Sequence, residues 1–251
     1  MVLRDGHQAR SYDREMSKAP SHQYRGPLSP AQAAEGMNAA IRNAQRLADD
    51  AGLLLNAARL PSAAAMATLS IEESGKQSIL RELATVTSPD ELKAAWRRYR
   101  DHRSKNGSWI LPHLVYHGAR QLSELGTVVN RDSEHTEQLD SLKQIGFYTD
   151  CYGTLNWSEP VSVIDDVELV TFLVKIAKLL ATRKEVTTRE IELWVEHLRP
   201  VWRTPRMVPA ILRWADAMQR EGLGGVNAEE FAKFVLGDQS GSNSQRPRPT
   251  Q

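Results

Sequence analysis

Apolar residues recur along this chain at intervals of three and four, the spacing of one face of an α-helix. Met37, Ile41, Ala44, Ala48, Ala51 and Leu55 follow one another at 4, 3, 4, 3 and 4 residues. Ser29 and Pro30 precede the run as an N-cap and a first-turn proline, which predicts a helix from there to about Ala58. Leu60-Pro61-Ser62 restarts the chain into a second helix, Ser62–Ala84, and the two read as an antiparallel hairpin. Ala63, Ala64, Ala65 and Ala67, with Ser70, Ser74 and Gly75, leave room for a neighbouring backbone to approach closely.

The pattern continues downstream. Ser88-Pro89-Asp90-Glu91 carries a cap, a proline and first-turn acids, and predicts a third helix ending at Asn106-Gly107. Trp109–Leu125 is predicted as a fourth helix with Leu111, Val115, Gly118, Leu122 and Leu125 on one face and Pro112 in its first turn. After the polar connection Val128–Ser133, a helix is expected over His135–Cys151, then an irregular loop over Tyr152–Val163. Asp165–Lys184 is helical, with Val167, Val170, Leu173, Val174, Ala177 and Leu180 facing inward. Three more helices are expected: one from the Thr187/Glu190 capping box to near Pro200, one within Pro205–Glu221, and a short one from Asn227 to Leu236. No segment shows sustained strand alternation, so the fold class is all-α. Residues 1–28 read as a poorly ordered arm, 29–185 as the main helical domain, 186–237 as a C-terminal helical extension, and 238–251 as a disordered tail.

One stripe breaks the rule. In the second helix, Met66, Leu69, Glu73, Lys76, Leu80 and Leu83 are spaced 3, 4, 3, 4 and 3, with a charged pair at the centre. Glu72 lies one turn before Lys76. Two readings stand: a rotated helix with a solvated Glu–Lys pair, or a wet cleft or polar site that supplies a partner for buried charge.

Composition narrows the function classes. At 251 residues the chain can bury a sizeable core. Its formal charge of +1 provides no global basic field, so any nucleic-acid contact must use a local patch. A single cysteine, Cys151, excludes a disulfide framework or a cysteine zinc site within one chain, fits a reducing cytoplasm, and reads as a small buried apolar residue. No apolar run approaches a membrane span, and Met1–Tyr12 lacks the apolar core of a signal peptide, so a membrane partner is not expected.

A local basic patch does exist. Between positions 97 and 105 there are five basic residues, Arg97, Arg98, Arg100, Arg103 and Lys105, against one acid, Asp101. Such a run is often a solvated helix end. Here His102 shares a helical face with Tyr99, Ala95 and Leu92, so it points toward packed structure, with Arg97 and Arg98 within reach. His113 and His117, at i and i+4, have metal-holding spacing but no matched carboxylate motif. No cofactor motif and no metal site are read from the chain: Gly222–Gly225 lacks a preceding strand and a following Lys-Ser/Thr. Trp194, Trp202 and Trp214 read as packing anchors of the C-terminal helices.

Arg97-x4-His102 fits the Arg-x4-to-6-His motif of HEPN domains, and the wider pattern resembles their AbiV-like branch, associated with abortive infection against phage. Ala67–Lys76, with Glu72-Glu73-Ser74-Gly75-Lys76, is similar to that branch's Glu-Glu-x-Gly-Lys helix. Trp96 to His102-Arg103-Ser104-Lys105 is similar to its His-x-x-Lys segment, and Lys143–Asp150 with Trp157 and Pro160 resembles its third block. The resemblance spans roughly residues 30–185.

The resemblance implies metal-independent RNA cleavage, blocking translation, with no cofactor. Arg97 and His102 would be catalytic, supported by Glu72, Glu73, Lys76, Arg98 and Lys105. An imidazole serves either proton step near neutral pH, and a guanidinium clamps phosphate oxygens. Glu73 and Lys76 would orient Arg97 or His102. On a regular helix Arg97 and His102 diverge by about 140°, so either Arg97 reaches round or Arg98 takes its place. One motif histidine per chain is too few for separate acid and base roles, and the resemblance implies a homodimer that joins two motifs. RNA, a phage protein activator and an antitoxin are the partners this class implies. A non-catalytic HEPN-fold module that binds protein or nucleic acid is the alternative.

Overall fold

Ser29 opens the first helix with a reciprocal cap: its Oγ accepts from the Gln32 amide at 3.2 Å, and Gln32 Oε1 accepts from the Ser29 amide at 3.0 Å. Helix α1 then runs over Pro30–Asn56, turns through Ala58 at positive φ, and passes into α2, Leu60–Thr85. The computed structural model of the chain describes residues 23–110, 114, 119–125, 134–152, 155–225 and 227–237. The hairpin predicted for the first two helices is present, and its seam is built of alanines. Ala44, Ala48 and Ala51 of α1 meet Ala63, Ala64 and Ala67 of α2 in one buried cluster. The backbones approach so closely that Ser70 Oγ donates to the Ala44 carbonyl at 2.7 Å.

Helix α2 is the axis of the molecule. It is buried on several sides, including Ala64, Thr68, Ile71, Glu72, Gly75 and Ile79, while Met66, Leu69, Glu73 and Lys76 are only half-buried. The apolar stripe through Glu73 and Lys76 is therefore not its most buried line. A periodicity reading assumes one covered face, and this helix is surrounded.

The third helix, α3, spans Pro89–Arg100 and stops earlier than expected. Asp101 adopts an extended conformation (ψ 123°) and caps a separate short helix, α4, His102–Asn106. Its carboxylate accepts from the Ser104 amide at 3.1 Å and from Ser104 Oγ at 2.5 Å. His102 thus begins a new element, and the angle calculated for a continuous helix does not apply. Of the expected fourth helix, single 3₁₀ turns at Gly107–Ile110 and Leu122–Leu125 and the helical Leu114 are described. Pro112, His113, Val115, His117 and Gly118 lie outside the described residues.

Helix α5 runs over Glu134–Phe147. Where a helix end and an irregular loop were expected, β1 (Asp150–Tyr152) pairs antiparallel with β2 (Asn156–Ser158), Cys151 opposite Trp157. Three-residue strands are too short to show alternation in the sequence. Cys151 is exposed rather than buried. One turn, α6 (Pro160–Val163), leads to α7 (Val167–Ala181), capped by Asp166 Oδ1 through the Glu168 and Leu169 amides at 2.9 and 3.0 Å. Its Val170, Leu173, Val174, Ala177 and Leu180 complete the core against α1, α2 and Leu139 of α5, whereas Val167 stays exposed.

Helices α8 (Thr188–Leu198), α9 (Met207–Arg220) and α10 (Ala228–Leu236) form the C-terminal part around a cluster with Leu193, Leu198, Trp214 and Met218. Trp194 and Trp214 pack edge to face at 5.2 Å, as expected of anchors. This part is fastened to the hairpin by Trp194 Nε1 donating to Thr85 Oγ1 at 3.0 Å, Arg199 donating to the Ala84 carbonyl at 2.6 Å, and Asn38 bonded both ways to Val186. Among the described residues no helix is long and apolar enough to cross a membrane.

His135, buried near the start of α5, predicts a pH response. Burial lowers its pKa below the ordinary value, and a hydrogen bond with the Gly107 backbone only partly offsets this. The folded pKa lies below the unfolded value of about 6.5, so this site's contribution to stability is whole above that pH. It is lost as pH falls through the unfolded pKa toward the folded one. Urea midpoints of wild type and His135→Gln, measured at about pH 7.5 and about pH 5.5, should show a smaller acid loss in the variant.

Candidate functional site around His102 and Glu72

Glu72 stands in the middle of α2 and is 3% exposed, yet it carries a charge-bearing side chain. Its surroundings account for the burial. Oε2 accepts from His102 Nδ1 at 2.7 Å and lies 3.8 Å from Lys105 Nζ, both on α4. Oε1 accepts from Lys143 Nζ of α5 at 2.7 Å, and Lys143 also donates to Asp140 at 2.8 Å. Two carboxylates and two ammoniums thus offset one another, and the imidazole sits at the rim with its side chain 51% exposed. Networks of this kind fix position more than they add stability, because burial of each ion consumes most of the attraction.

Gly75 makes the arrangement sterically feasible. A Cβ built there would overlap the Lys105 carbonyl oxygen and lie 2.8 Å from its carbon. Helix α4 rests its backbone directly on α2 at this point, one turn from Glu72. The Glu72-Glu73-Ser74-Gly75-Lys76 sequence is therefore a positioning device: a carboxylate to hold α4, and a residue without a side chain to let it approach.

The charges respond to this packing. Burial opposes the Lys143 ammonium, but hydrogen bonds to Asp140 and Glu72, with their charges, outweigh it and raise its pKa. For Lys105 burial prevails over the attraction of Glu72, and its pKa is lowered. A carboxylate accepts at His102 Nδ1, so that nitrogen carries a proton in this hydrogen bond. No hydrogen bond to Nε2 exists among the described residues.

The expected site residues separate into groups. His102, Glu72 and Lys105 come together as above. Glu73 and Lys76 bond to each other at 2.5 Å, with Lys76 5.3 Å above the Tyr99 ring, and neither bonds to His102 or Arg97. Orientation of the imidazole falls to Glu72 instead. Arg98 is held by Glu82, with Nε at 3.2 Å, and Glu82 is shared with Arg203 at 2.7 Å, so Glu82 fastens both α3 and the C-terminal part to α2. Arg97 is exposed and lines a cavity with Arg25, Lys93, Trp96 and Arg100; His102 is not part of that lining.

Lys143 and Asp140 were not singled out as site residues, although Lys143 opens the third block of the resemblance. The signal was local: a lysine on the buried face of α5 beside Leu139 and three residues after an aspartate. Donor atoms of Glu72, His102 and Asp140 lie within 4.8 Å of one another, a spacing that would suit a divalent cation. The Lys143 ammonium already bonds to both carboxylates, and an ion would have to displace it.

A family model, HEPN_AbiV (AbiV), matches residues 32–182. The chain belongs to the AbiV family of HEPN proteins. That is a family of abortive-infection, HEPN-fold proteins, and the all-α architecture agrees with it. The match includes every residue of the Glu72 network and ends at the close of α7, so the C-terminal helices α8, α9 and α10 lie beyond the AbiV region. No curated protein and no solved structure matches the chain.

Proposed function

We propose that this AbiV-family protein is an abortive-infection effector that cuts RNA without a metal and so blocks translation in the cytoplasm. The observation that supports the reading is the His102–Glu72 pair: a half-exposed imidazole pinned through Nδ1 by a buried carboxylate, with no hydrogen bond to Nε2 among the described residues. In the reaction, Nε2 takes the proton of a ribose 2′-hydroxyl as that oxygen attacks the adjacent phosphorus. The bond from phosphorus to the 5′ oxygen breaks, leaving a cyclic phosphate, and the leaving oxygen is protonated. His102 of a second copy, in its imidazolium form with a proton on Nε2, supplies that proton, and Arg97 clamps the phosphate oxygens in the assembled dimer. Glu72 keeps the tautomer and stabilises the imidazolium as it forms. A phage protein or an antitoxin sets when the effector acts.

The placement of Arg97 favours a second reading, a non-catalytic binding module, because Arg97 lines a cavity of which His102 is not a part. One assay separates the two. Total RNA is incubated in EDTA with wild type, His102→Ala and Arg97→Ala. The nuclease reading predicts cleavage by wild type and a loss of about 100-fold or more in each variant. Intact RNA with retained binding selects the module. Light scattering that finds only monomer at micromolar concentration contradicts the dimeric mechanism.

A further inference from the structure

The element that carries the imidazole has nothing apolar to bury. Helix α4, His102-Arg103-Ser104-Lys105-Asn106, contains no apolar residue, and so short a helix does not hold itself together in water. Contacts with α2 and α5 keep it in place. They are the His102–Glu72 bond, Lys105 at 3.8 Å from the same carboxylate, Arg103 Nη2 at 3.3 Å from Glu137, and the Lys105 backbone resting on Gly75.

The docked position also works against itself. Asn106 is 0% exposed, yet neither its side-chain oxygen nor its side-chain nitrogen has a hydrogen-bond partner among the described residues. Arg103 Nε is sealed from water in the same way. Asn106 and Arg103 thus place three stranded polar atoms on a helix of five residues. Lys105 is buried deeply enough that its pKa falls in spite of the Glu72 charge beside it. A polar group enclosed without a partner penalises the state that encloses it, and regains hydrogen bonds to water when that state opens.

We propose that α4 is a latch: it lifts off α2 while the rest of the fold stays closed, draws His102 away from Glu72, and so regulates the site. The extended residue Asp101 and the 3₁₀ turn Gly107–Ile110 bound the moving piece. Asn106 serves the opening. Its stranded amide keeps the closed state releasable, which an apolar residue of similar outline would not. A partner that grips one form of α4 better than the other shifts the balance by that difference in affinity. The link from opening to RNA cleavage rests on the nuclease reading; the opening itself does not.

Native-state hydrogen exchange of the full chain, followed by mass spectrometry at rising sub-denaturing urea, tests this without RNA. Corrected for sequence, the amides of α4 are expected to exchange at least about tenfold faster than those of Ile71–Leu80 in α2, with little urea dependence, the mark of a local opening. Asn106→Leu and Asn106→Ala both remove the stranded amide, the first keeping a branched side chain and the second adding no bulk. At least one of them should slow α4 exchange about fivefold or more while α2 stays protected. Equal protection of α4 and α2 with the same urea dependence, or no slowing in either variant, overturns the proposal. If the wild type cuts RNA, the slowed variant should cut as fast or faster; slower cutting overturns the docked form as the competent one. If it cuts nothing while α4 opens as expected, the nuclease reading falls and the latch stands.

Discussion

Glu72→Ala is expected to lower the unfolding free energy by about 3 kcal/mol, the scale of breaking one partner out of a buried ion pair. The substitution strands the Lys105 ammonium, whose burial already works against its charge, and leaves Lys143 with Asp140 alone. Urea unfolding followed by tryptophan fluorescence measures the loss. The same variant releases His102 Nδ1, so any cleavage of RNA should fall by about 100-fold or more in the folded protein. Glu72→Gln separates the two effects. It keeps the shape and an acceptor oxygen, so it should cost less stability, yet it removes the charge that stabilises an imidazolium at 102.

Gly75→Ala should destabilise the chain by about 2–3 kcal/mol, a clash penalty of the size found for overpacked interiors. The sign is the informative part. Alanine in place of a helical glycine ordinarily gains up to about 1 kcal/mol. Here the added methyl group meets the Lys105 backbone, which belongs to another helix and cannot rotate aside as a side chain would. Either α4 lifts away from α2 or α2 bends, and both separate His102 from Glu72. A melting temperature raised by Gly75→Ala would show that α4 does not rest where the structure places it.

The parts of the fold that were legible in the sequence are those with local chemistry at their ends. The α1–α2 hairpin announces itself through Ser29-Pro30, Leu60-Pro61-Ser62 and a run of alanines. Thr187 and Asn227 do the same for later helices. The end of α3 was hidden because its stop lies inside a polar, basic run with no glycine or proline to mark it. The only local sign was Asp101 three residues before Ser104, a cap within a stretch that also reads as a continuing helix.

The site was legible in part for a related reason. His102 and Glu72 were among the expected residues, but orientation of the imidazole was assigned to Glu73 and Lys76. Periodicity locates a single buried face, and α2 is packed on several, so it cannot rank adjacent glutamates. Lys143 meets Glu72 across 71 residues of sequence, a separation at which spacing carries no information. Arg97 was expected beside His102 because both sit in one short motif. The turn at Asp101 comes between them and leaves Arg97 on the cavity face of α3.

The buried carboxylate at 72 holds the His102 imidazole through Nδ1 and keeps the proton of the neutral ring on that nitrogen. Nitrogen-15 NMR of histidine-labelled protein above the imidazole pKa reads this directly, with His102→Gln assigning the signal. The expected result is a His102 ring protonated at Nδ1, with that form lost in Glu72→Ala. A ring protonated at Nε2 in the wild type, or one indifferent to the Glu72 substitution, would contradict it.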